Sequence, residues 1–255
     1  MEKETIIDVK DVKIQFDETV ILKDINFSVY KGEIFAIIGG SGCGKTVLLK
    51  HLIGLLDSYT GNIMIEKENL KNIIEYKYNT FLNKIGVAFQ YGALLASMTL
   101  EDNIMLPIIE HKRVNESIAR GIAKWKLSLV DLHGYEKYFP SDISGGMKKR
   151  ASIARAIALN PDILFLDEPT SGLDPVTSTE IDKLIKRLNR TLNTTMILIT
   201  HDIETVFNIT DRIILLDKSE KKIIAEGSPL EVYNTNNNER VMKFFERKRK
   251  SLNGN

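Results

Sequence analysis

The sequence predicts an α/β protein that has a mainly parallel sheet at its core, an N-terminal antiparallel β subdomain and an inserted helical lobe. Three observations support this prediction. The first thirty residues alternate loosely between apolar and polar, as antiparallel strands do. From Ile34 onward, continuous apolar runs are each followed by a turn and a helical pattern, which is typical of parallel strands buried on both faces. The segment from Tyr91 to Pro140 lacks such a run and is predicted to be helical.

The individual elements follow from these patterns. The N-terminal strands are predicted from the apolar positions Ile6, Val9, Val12, Ile14 and Phe16, followed by Val20–Leu22 and Ile25–Val29. The parallel strands are predicted at Ile34–Ile38, Ile85–Phe89, Ile163–Leu166, Met196–Ile199 and Arg212–Leu216. Apolar residues at helical spacing predict helices over Lys45–Leu56, Ser144–Leu159 and Thr177–Leu192.

Composition excludes several classes of protein. The chain has 255 residues, enough for one large or two small domains, and its 35 basic and 34 acidic residues leave a formal charge of +1. This balance argues against a dedicated nucleic-acid binder, which would show a basic excess. The single cysteine, Cys43, excludes an intramolecular disulfide framework and a zinc site built from several cysteines.

No apolar run approaches the roughly 20 residues of a membrane-spanning helix. Met1–Lys13 carries charges every few residues and does not resemble a secretory signal. We therefore expect a cytoplasmic protein that docks on another one. We expect a single domain over residues 1–255, in which residues 5–230 form the main body, about residues 91–145 a helical subdomain and residues 234–255 a polar tail.

A phosphate-binding motif lies between the first parallel strand and the helix that follows it. The pattern G-x-x-x-x-G-K-[ST] is formed by Gly39, Gly40, Ser41, Gly42, Cys43, Gly44, Lys45 and Thr46. Glycines allow the backbone to curl so that successive N–H groups point at phosphate oxygens, and the helix N-terminus adds its positive end. Lys45 is expected to reach the β- and γ-phosphates, and Thr46 to bind Mg²⁺ through its hydroxyl group.

Two positions in this region leave alternatives open. Val47 stands where phosphate loops often carry a second hydroxyl, so we expect one minor phosphate contact to be lost. Cys43 lies near a helix N-terminus, which lowers thiol pKa values, so a redox role is conceivable. We favour a filler position in the loop, because the chain has no second cysteine to resolve an oxidised thiol.

Acidic residues follow another buried strand. Asp167 and Glu168 come directly after Ile163–Leu166, and a carboxylate at that position is costly unless a cation lies beside it. We assign Asp167 to Mg²⁺ and Glu168 to the base that takes a proton from an attacking water. A helix N-cap is the alternative reading of the pair. Gln90 and His201 also follow strands, and ligands bind at this edge of open α/β sheets.

A third motif, Ile143-Ser144-Gly145-Gly146-Met147, opens the predicted helix that ends at Leu159. Read alone it is an N-cap and a helix start. Together with the phosphate loop and the acidic pair, it resembles the signature of ATP-binding-cassette (ABC) ATPases, usually L-S-G-G-Q. The remaining family motifs occur in order, as an aromatic at Phe16, a Q-loop at Gln90, a D-loop at Ser171–Asp174 and a switch histidine at His201.

This resemblance implies a P-loop NTPase fold with a RecA-like core. It implies an ATPase with ATP and Mg²⁺ as cofactors, in which Phe16 stacks on adenine, His201 contacts the γ-phosphate and Gln90 joins Thr46 and Asp167 near the metal. Ser144, Gly145 and Gly146, with Asp174, would act on the nucleotide of a second subunit in a head-to-tail homodimer. The departures are Ile143, Met147 and Val47, and the loss of glutamine at position 147 weakens one expected contact.

A narrower resemblance concerns the type of ABC protein. Residues 89–104 and 144–151 are similar to the corresponding parts of the Mla/Mce-type lipid transport ATPases. This implies a peripheral subunit on the cytoplasmic face of the inner membrane, energising phospholipid or other lipid transport through a separate permease. An MCE-domain lipid-binding protein and a STAS-domain protein are the further implied partners, and no nucleic acid is expected. The alternatives are an amino-acid importer, a lipoprotein exporter and, less favoured, a DNA-repair or translation ATPase.

The helical lobe is also predicted to carry a docking surface. Seven apolar residues occur close together after Gln90, at Leu94, Leu95, Met98, Leu100, Ile104, Met105 and Leu106. We expect part of this surface to form a groove for a permease helix. The alternative is that these residues are the lobe's own core.

Overall fold

The computed structural model describes residues 3–90, 92–112, 114–235 and 238–253. Tyr91, at the start of the predicted helical subdomain, and parts of the predicted tail lie outside these residues. The strands are β1 (Thr5–Phe16), β2 (Thr19–Tyr30), β3 (Ile34–Gly39), β4 (Tyr59–Ile65), β5 (Glu68–Asn69), β6 (Ile85–Ala88), β7 (Ile163–Asp167), β8 (Thr195–Thr200), β9 (Arg212–Asp217) and β10 (Lys222–Gly227). The helices are α1 (Lys45–Leu52), α2 (Leu70–Tyr76), α3 (Tyr78–Lys84), α4 (Leu100–Lys112), α5 (Glu116–Leu129), α6 (Gly145–Ala156), α7 (Pro175–Leu192), α8 (Ile203–Ile209), α9 (Pro229–Thr235) and α10 (Glu239–Asn253).

The chain divides into two compact units. The first comprises the residues up to Phe81 together with those from Ile197 onward, and the second spans Leu82–Met196. Within the described part of the chain, no helix is both long and apolar enough to cross a bilayer.

The first unit contains an antiparallel sheet with the strand order β2-β1-β4-β5. Its first two strands are each 12 residues long, so the separate segments expected at Val20–Leu22 and Ile25–Val29 belong to the single strand β2. The strand tolerates the break in the apolar pattern because the pairing register shifts several times. Asp24, which lies inside β2, has φ 52°, a left-handed conformation of the kind found at β-bulges.

The same unit contains strands β10, β9, β3 and β8 in that order. β3 is buried along its whole length and pairs in parallel with β9, from Phe35 opposite Arg212 to Gly39 opposite Leu216. Such burial on both faces explains the continuous apolar run in the sequence. β3 leads through residues 40–44 into α1, so the edge of this sheet presents the loop that joins them.

In the second unit, β6 and β7 pair in parallel, from Ile85 opposite Ile163 to Ala88 opposite Leu166. Gly86 in β6 is required by close packing, because a Cβ there would lie 2.2 Å from the carbonyl oxygen of Ala156 in α6. All five residues of β7 are buried. β7 therefore ends in a buried carboxylate, that of Asp167.

The helical lobe of the second unit is built around α4 and α5. Three of the seven residues expected to line a docking groove, Leu100, Ile104 and Met105, are buried. Leu95 is 39% exposed, so an exposed apolar residue remains on this surface. Glu101 is fully buried, and its Oε2 accepts from Arg120 Nη1 and Lys137 Nζ, both at 2.5 Å.

A buried asparagine organises the irregular segment that precedes α4. Asn103 is fully buried, and its Nδ2 lies within hydrogen-bond distance of the carbonyl oxygens of Leu95, Met98 and Thr99, at 2.9–3.1 Å. Its Oδ1 accepts from the backbone N–H of Leu95 at 2.8 Å. One side chain thereby supplies the hydrogen bonds that regular secondary structure would otherwise provide for this segment.

Candidate functional site

In the phosphate loop of the first unit, three glycines have backbone conformations that favour glycine. Gly39, Gly42 and Gly44 have φ values of 154°, 74° and 102°, which L side chains rarely adopt. At Gly39 a Cβ would also lie 2.6 Å from both Cys43 Sγ and the carbonyl oxygen of Leu216. Glycine is therefore required there by both conformation and space.

Lys45 is the first residue of α1, and its side chain folds back against the phosphate loop. Its Nζ donates to the carbonyl oxygens of Gly39, at 2.8 Å, and Gly40, at 3.2 Å, and the side chain is buried. Thr46 is exposed in the first turn of α1. The ammonium group is thus held where the loop backbone curls, which suits it to a polyanionic ligand.

Cys43 is a buried filler of the loop, consistent with the non-redox reading of this position. It is 3% exposed, and burial raises the pKa of its thiol. A buried thiol with a raised pKa forms little of the reactive thiolate at neutral pH.

Phe16 ends β1 beside the last turn of α1. Its ring centre lies 6.2 Å from that of His51, and the side chain is 36% exposed. His51 is fully buried and donates from Nδ1 to the carbonyl oxygen of Val47 at 2.8 Å. Burial lowers the pKa of His51, which favours the neutral ring. Phe16 therefore presents a partly open aromatic surface beside His51, which lies about 9 Å along α1 from Lys45 at 1.5 Å per residue.

His201 follows the end of β8 directly and is exposed. The next residue, Asp202, caps α8 by accepting from the backbone N–H of Glu204 at 3.0 Å. The first unit thus carries Phe16, the phosphate loop with Thr46 and Val47, and His201.

In the second unit, Asp167 and Glu168 lie at the end of β7, with exposed fractions of 5% and 9%. Glu168 has φ 49°, in the left-handed region that non-glycine residues rarely occupy. The sequence places the pair correctly at the strand end, but it gives no sign of this backbone conformation. The N-cap alternative is not what the structure shows, because the next helix, α7, begins at Pro175 and is capped by Asp174.

Gln90 lies two residues after β6 and is held in a hydrogen-bonded network of the second unit. Its Nε2 makes a long contact of 3.5 Å to Ser171 Oγ. Its carbonyl oxygen accepts from Lys149 Nζ at 2.6 Å. Lys149 Nζ also donates to the carbonyl oxygen of Glu168 at 2.9 Å. Lys149 was missed as a site residue, because in the sequence it is one of several basic residues in a helix.

Ser144 begins α6 as its N-cap and accepts on Oγ from the backbone N–H of Met147 at 3.3 Å. Ser144 and Gly145 are exposed, whereas Gly146 is buried. A Cβ on Gly146 would lie 2.6 Å from Thr177 Cγ2 of α7. The two glycines thus have different roles. Gly145 leaves the N-terminus of α6 open, and Gly146 allows α6 and α7 to approach each other.

Asp174 caps α7 and is fixed by three hydrogen bonds. Its carboxylate accepts from the backbone N–H groups of Val176 and Thr177, at 3.1 and 3.0 Å, and from the Thr177 hydroxyl at 2.5 Å. The hydrogen bond from the Thr177 side chain is the main cause of a lowered pKa for Asp174. The second unit thus carries Gln90, Ser144–Gly146, Asp167, Glu168 and Asp174.

Comparison with known proteins identifies the family. A family model described as "ABC transporter" matches residues 22–171, which is more than half of the chain. The chain belongs to the ABC transporter family. The family resemblance drawn from the sequence is therefore confirmed, and the protein is an ABC ATPase.

Two relatives of this ABC ATPase are named as ATP-binding proteins of transport systems. It is 40% identical to the "intermembrane phospholipid transport system ATP-binding protein MlaF" of Haemophilus influenzae, an alignment covering 88% of this chain and 84% of the relative. It is 38% identical to the "probable ribonucleotide transport ATP-binding protein mkl" of Mycobacterium leprae, covering 95% and 69%.

Solved structures confirm the ABC fold. A dimeric MJ0796 cassette in a post-hydrolysis state with ADP and Pi has a TM-score of 0.78 and 29% identity, over 88% of this chain and 98% of that one. The cbiO1 protein of Clostridium perfringens, part of the transporter complex cbiONQ, has a TM-score of 0.82 and 28% identity, over 98% and 96%.

Proposed function

We propose that this ABC ATPase hydrolyses ATP to drive the transport of phospholipid or another hydrophobic lipid through a separate permease. The observation that carries the lipid assignment is the 40% identity to a protein named for phospholipid transport, over 88% of this chain. The similarity of residues 89–104 and 144–151 to Mla/Mce-type ATPases supports the same assignment.

The phosphate loop and its neighbours would bind the nucleotide. The curled backbone from Gly39 to Gly44 presents N–H groups to the phosphates, and Lys45 adds a positive charge. Phe16 would stack its partly exposed ring on the adenine. Thr46 offers a hydroxyl oxygen, which suits Mg²⁺ as a ligand.

Residues that follow the strands would act on ATP, as the resemblance to ABC ATPases implies. Asp167 offers a carboxylate and Gln90 an amide oxygen, ligands that Mg²⁺ accepts together with Thr46. The ion, when bound, would neutralise charge on the β- and γ-phosphates. Glu168 would take the proton of the attacking water, and His201 would contact the γ-phosphate.

Assembly would complete the site. Ser144, Gly145 and Gly146, at the open N-terminus of α6, would bind the γ-phosphate held by a second copy, since helix N-termini favour anions. Asp174 would lie near the same subunit boundary. The dimeric MJ0796 cassettes support a homodimer, and its head-to-tail arrangement is what the family resemblance implies.

The other partners would be membrane-linked. A permease, an MCE-domain lipid-binding protein and a STAS-domain protein are the expected components, which places this subunit on the cytoplasmic face of the inner membrane. Leu95, exposed within the segment organised by Asn103, would be part of the permease-docking surface.

The chemistry is tested with the Glu168→Gln and Lys45→Ala variants. Glu168→Gln should bind ATP and lose turnover, because only the base is removed. Lys45→Ala should weaken ATP binding itself. Hydrolysis by Glu168→Gln at the wild-type rate would show that the base is a different residue.

The relative named for ribonucleotide transport makes that cargo a second candidate, since it aligns with 95% of this chain. The two are separated by reconstituting the ATPase with its permease and measuring cargo movement. Transfer of labelled phospholipid driven by ATP supports the first proposal. ATP-driven movement of ribonucleotides without lipid transfer supports the second one.

A further inference from the structure

Lys149 in α6 connects two segments that the proposed function places at the reacting phosphate. It is half-buried, and its Nζ donates to the carbonyl oxygens of Gln90, at 2.6 Å, and Glu168, at 2.9 Å. Both distances are short enough for well-formed charge-assisted hydrogen bonds. Lys149 belongs to α6, the helix whose N-terminus is capped by Ser144.

These contacts belong to a closed ring of hydrogen bonds. The backbone N–H of Ser171 donates to the same Glu168 carbonyl at 3.2 Å, and the long contact from Gln90 Nε2 to Ser171 Oγ closes the ring. Lys149 differs from the other members of the ring because its side chain is a cation and donates to two segments, one at Gln90 and one at Glu168. Removing it would open the ring at two places.

The backbone of Glu168 explains why such support matters. Its φ of 49° is rarely adopted by residues other than glycine, and such conformations persist where the surroundings hold them. The two donors to its carbonyl oxygen, Lys149 Nζ and Ser171 N–H, fix the plane of the following peptide. Holding this peptide restrains the backbone at Glu168, the residue from whose Cα the carboxylate side chain extends.

We propose that Lys149 is a positioning residue for ATP hydrolysis, holding the Glu168 carboxylate and the segment at Gln90 in a fixed relation to the signature helix α6. A shift of α6 would then change the alignment of the base. This inference rests on the proposal that Glu168 is the base.

Electrostatics agrees with the geometry. Burial lowers the pKa of Lys149, while the nearby carboxylates of Glu168 and Asp167 act in the opposite direction and favour the ammonium form.

The test compares Lys149→Met with Lys148→Met in the full-length chain. Lys148 is the neighbouring, exposed lysine of the same helix and serves as the matched control. Lys149→Met should lower kcat at least tenfold while leaving the Kd for ATP within twofold of wild type. Lys149→Arg should recover part of kcat, since arginine can also donate to two carbonyls. Lys148→Met should leave both constants unchanged.

A double variant shows whether Lys149 acts through Glu168. In the Glu168→Gln background, Lys149→Met should cause no further loss of single-turnover hydrolysis, because a residue that only positions the base has nothing left to position. Circular dichroism and thermal unfolding establish that the variants fold, and Lys149→Gln replaces Lys149→Met if the latter does not.

Three results would overturn the proposal. They are a kcat for the Lys149 variant within twofold of wild type, a loss that appears only in ATP binding, and a loss that multiplies with that of Glu168→Gln. The first two results are read in the wild-type background and do not depend on the activity of Glu168→Gln, so the base assignment and the positioning role are judged separately.

Discussion

Lys126 should make the stability of this protein rise with pH above about 8. Its side chain is fully buried in α5, where Nζ donates to Asn160 Oδ1 at 2.5 Å and lies 4.5 Å from the ring centre of Trp125. Among the described residues, no carboxylate lies within ion-pair distance of it. Burial lowers the pKa of Lys126 from 10.5 to about 8.

The direction of the effect follows from proton binding. Between pH 8 and 10.5 the unfolded chain keeps the proton on Lys126 and the folded chain releases it, so raising the pH favours the folded state. With these two pKa values, the contribution to the free energy of unfolding grows by about 1.6 kcal/mol from pH 8 to 9.5. Below pH 8 both states become protonated, and the full cost of burying the charge is present.

The measurement is urea unfolding of wild type and Lys126→Met at pH 8.0 and 9.5, followed by circular dichroism. Methionine cannot titrate, so the difference between the two proteins isolates Lys126 from other groups. The stability of wild type relative to the variant should rise by about 1.6 kcal/mol over this interval. A difference that stays constant within about 0.4 kcal/mol would refute a lowered pKa for this lysine.

Three further outcomes are expected. Gly39→Ala should abolish measurable ATP binding in a fluorescence titration, because its Cβ would overlap Cys43 Sγ and the Leu216 carbonyl oxygen at 2.6 Å. A folded variant with unchanged affinity would contradict the proposed loop geometry. Glu101→Gln should lower the free energy of unfolding by about 2 kcal/mol, because the buried carboxylate joins two cations that are themselves partly exposed. Chemical denaturation measures this, and an unchanged midpoint would show that the pairs are weak. Leu95→Asp should keep basal ATPase activity and lose co-purification with the permease, with Ser97→Asp, exposed in the same segment, as the control. Retained co-purification and lipid transfer would place the docking surface elsewhere.

The parallel core was predictable because its strands are buried on both faces and leave continuous apolar runs. The five predicted runs all correspond to strands, displaced by at most one residue at each end. β4 was missed because Tyr59–Ile65 contains Thr60, Gly61 and Asn62 and shows apolar alternation only at its end. α1 ends at Leu52 rather than Leu56, since the apolar pattern continues past the helix through Ile53, whereas the backbone turns at Gly54, with φ 73°.

The sequence predicts those site residues whose type by itself indicates a chemical role. The phosphate loop and the Asp167-Glu168 pair stand out because their glycines, lysine and carboxylates occur at strand ends. Lys149 and Asn103 did not stand out, because each acts by donating to backbone carbonyl oxygens. Every residue has such a carbonyl, so the residue pattern does not show which ones are used. The left-handed conformation of Glu168 was hidden for the same reason.

The way Asn103 secures the segment before α4 has an evolutionary consequence. The hydrogen bonds that fix this segment run between the Asn103 side chain and backbone atoms of its neighbours, and none of them involves the Leu95 side chain. Leu95 can therefore be exchanged for another residue without disturbing the path of the chain. We expect related subunits that serve different permeases to diverge at the outward-facing positions of this segment, while an asparagine at the position of Asn103 stays under strong purifying selection.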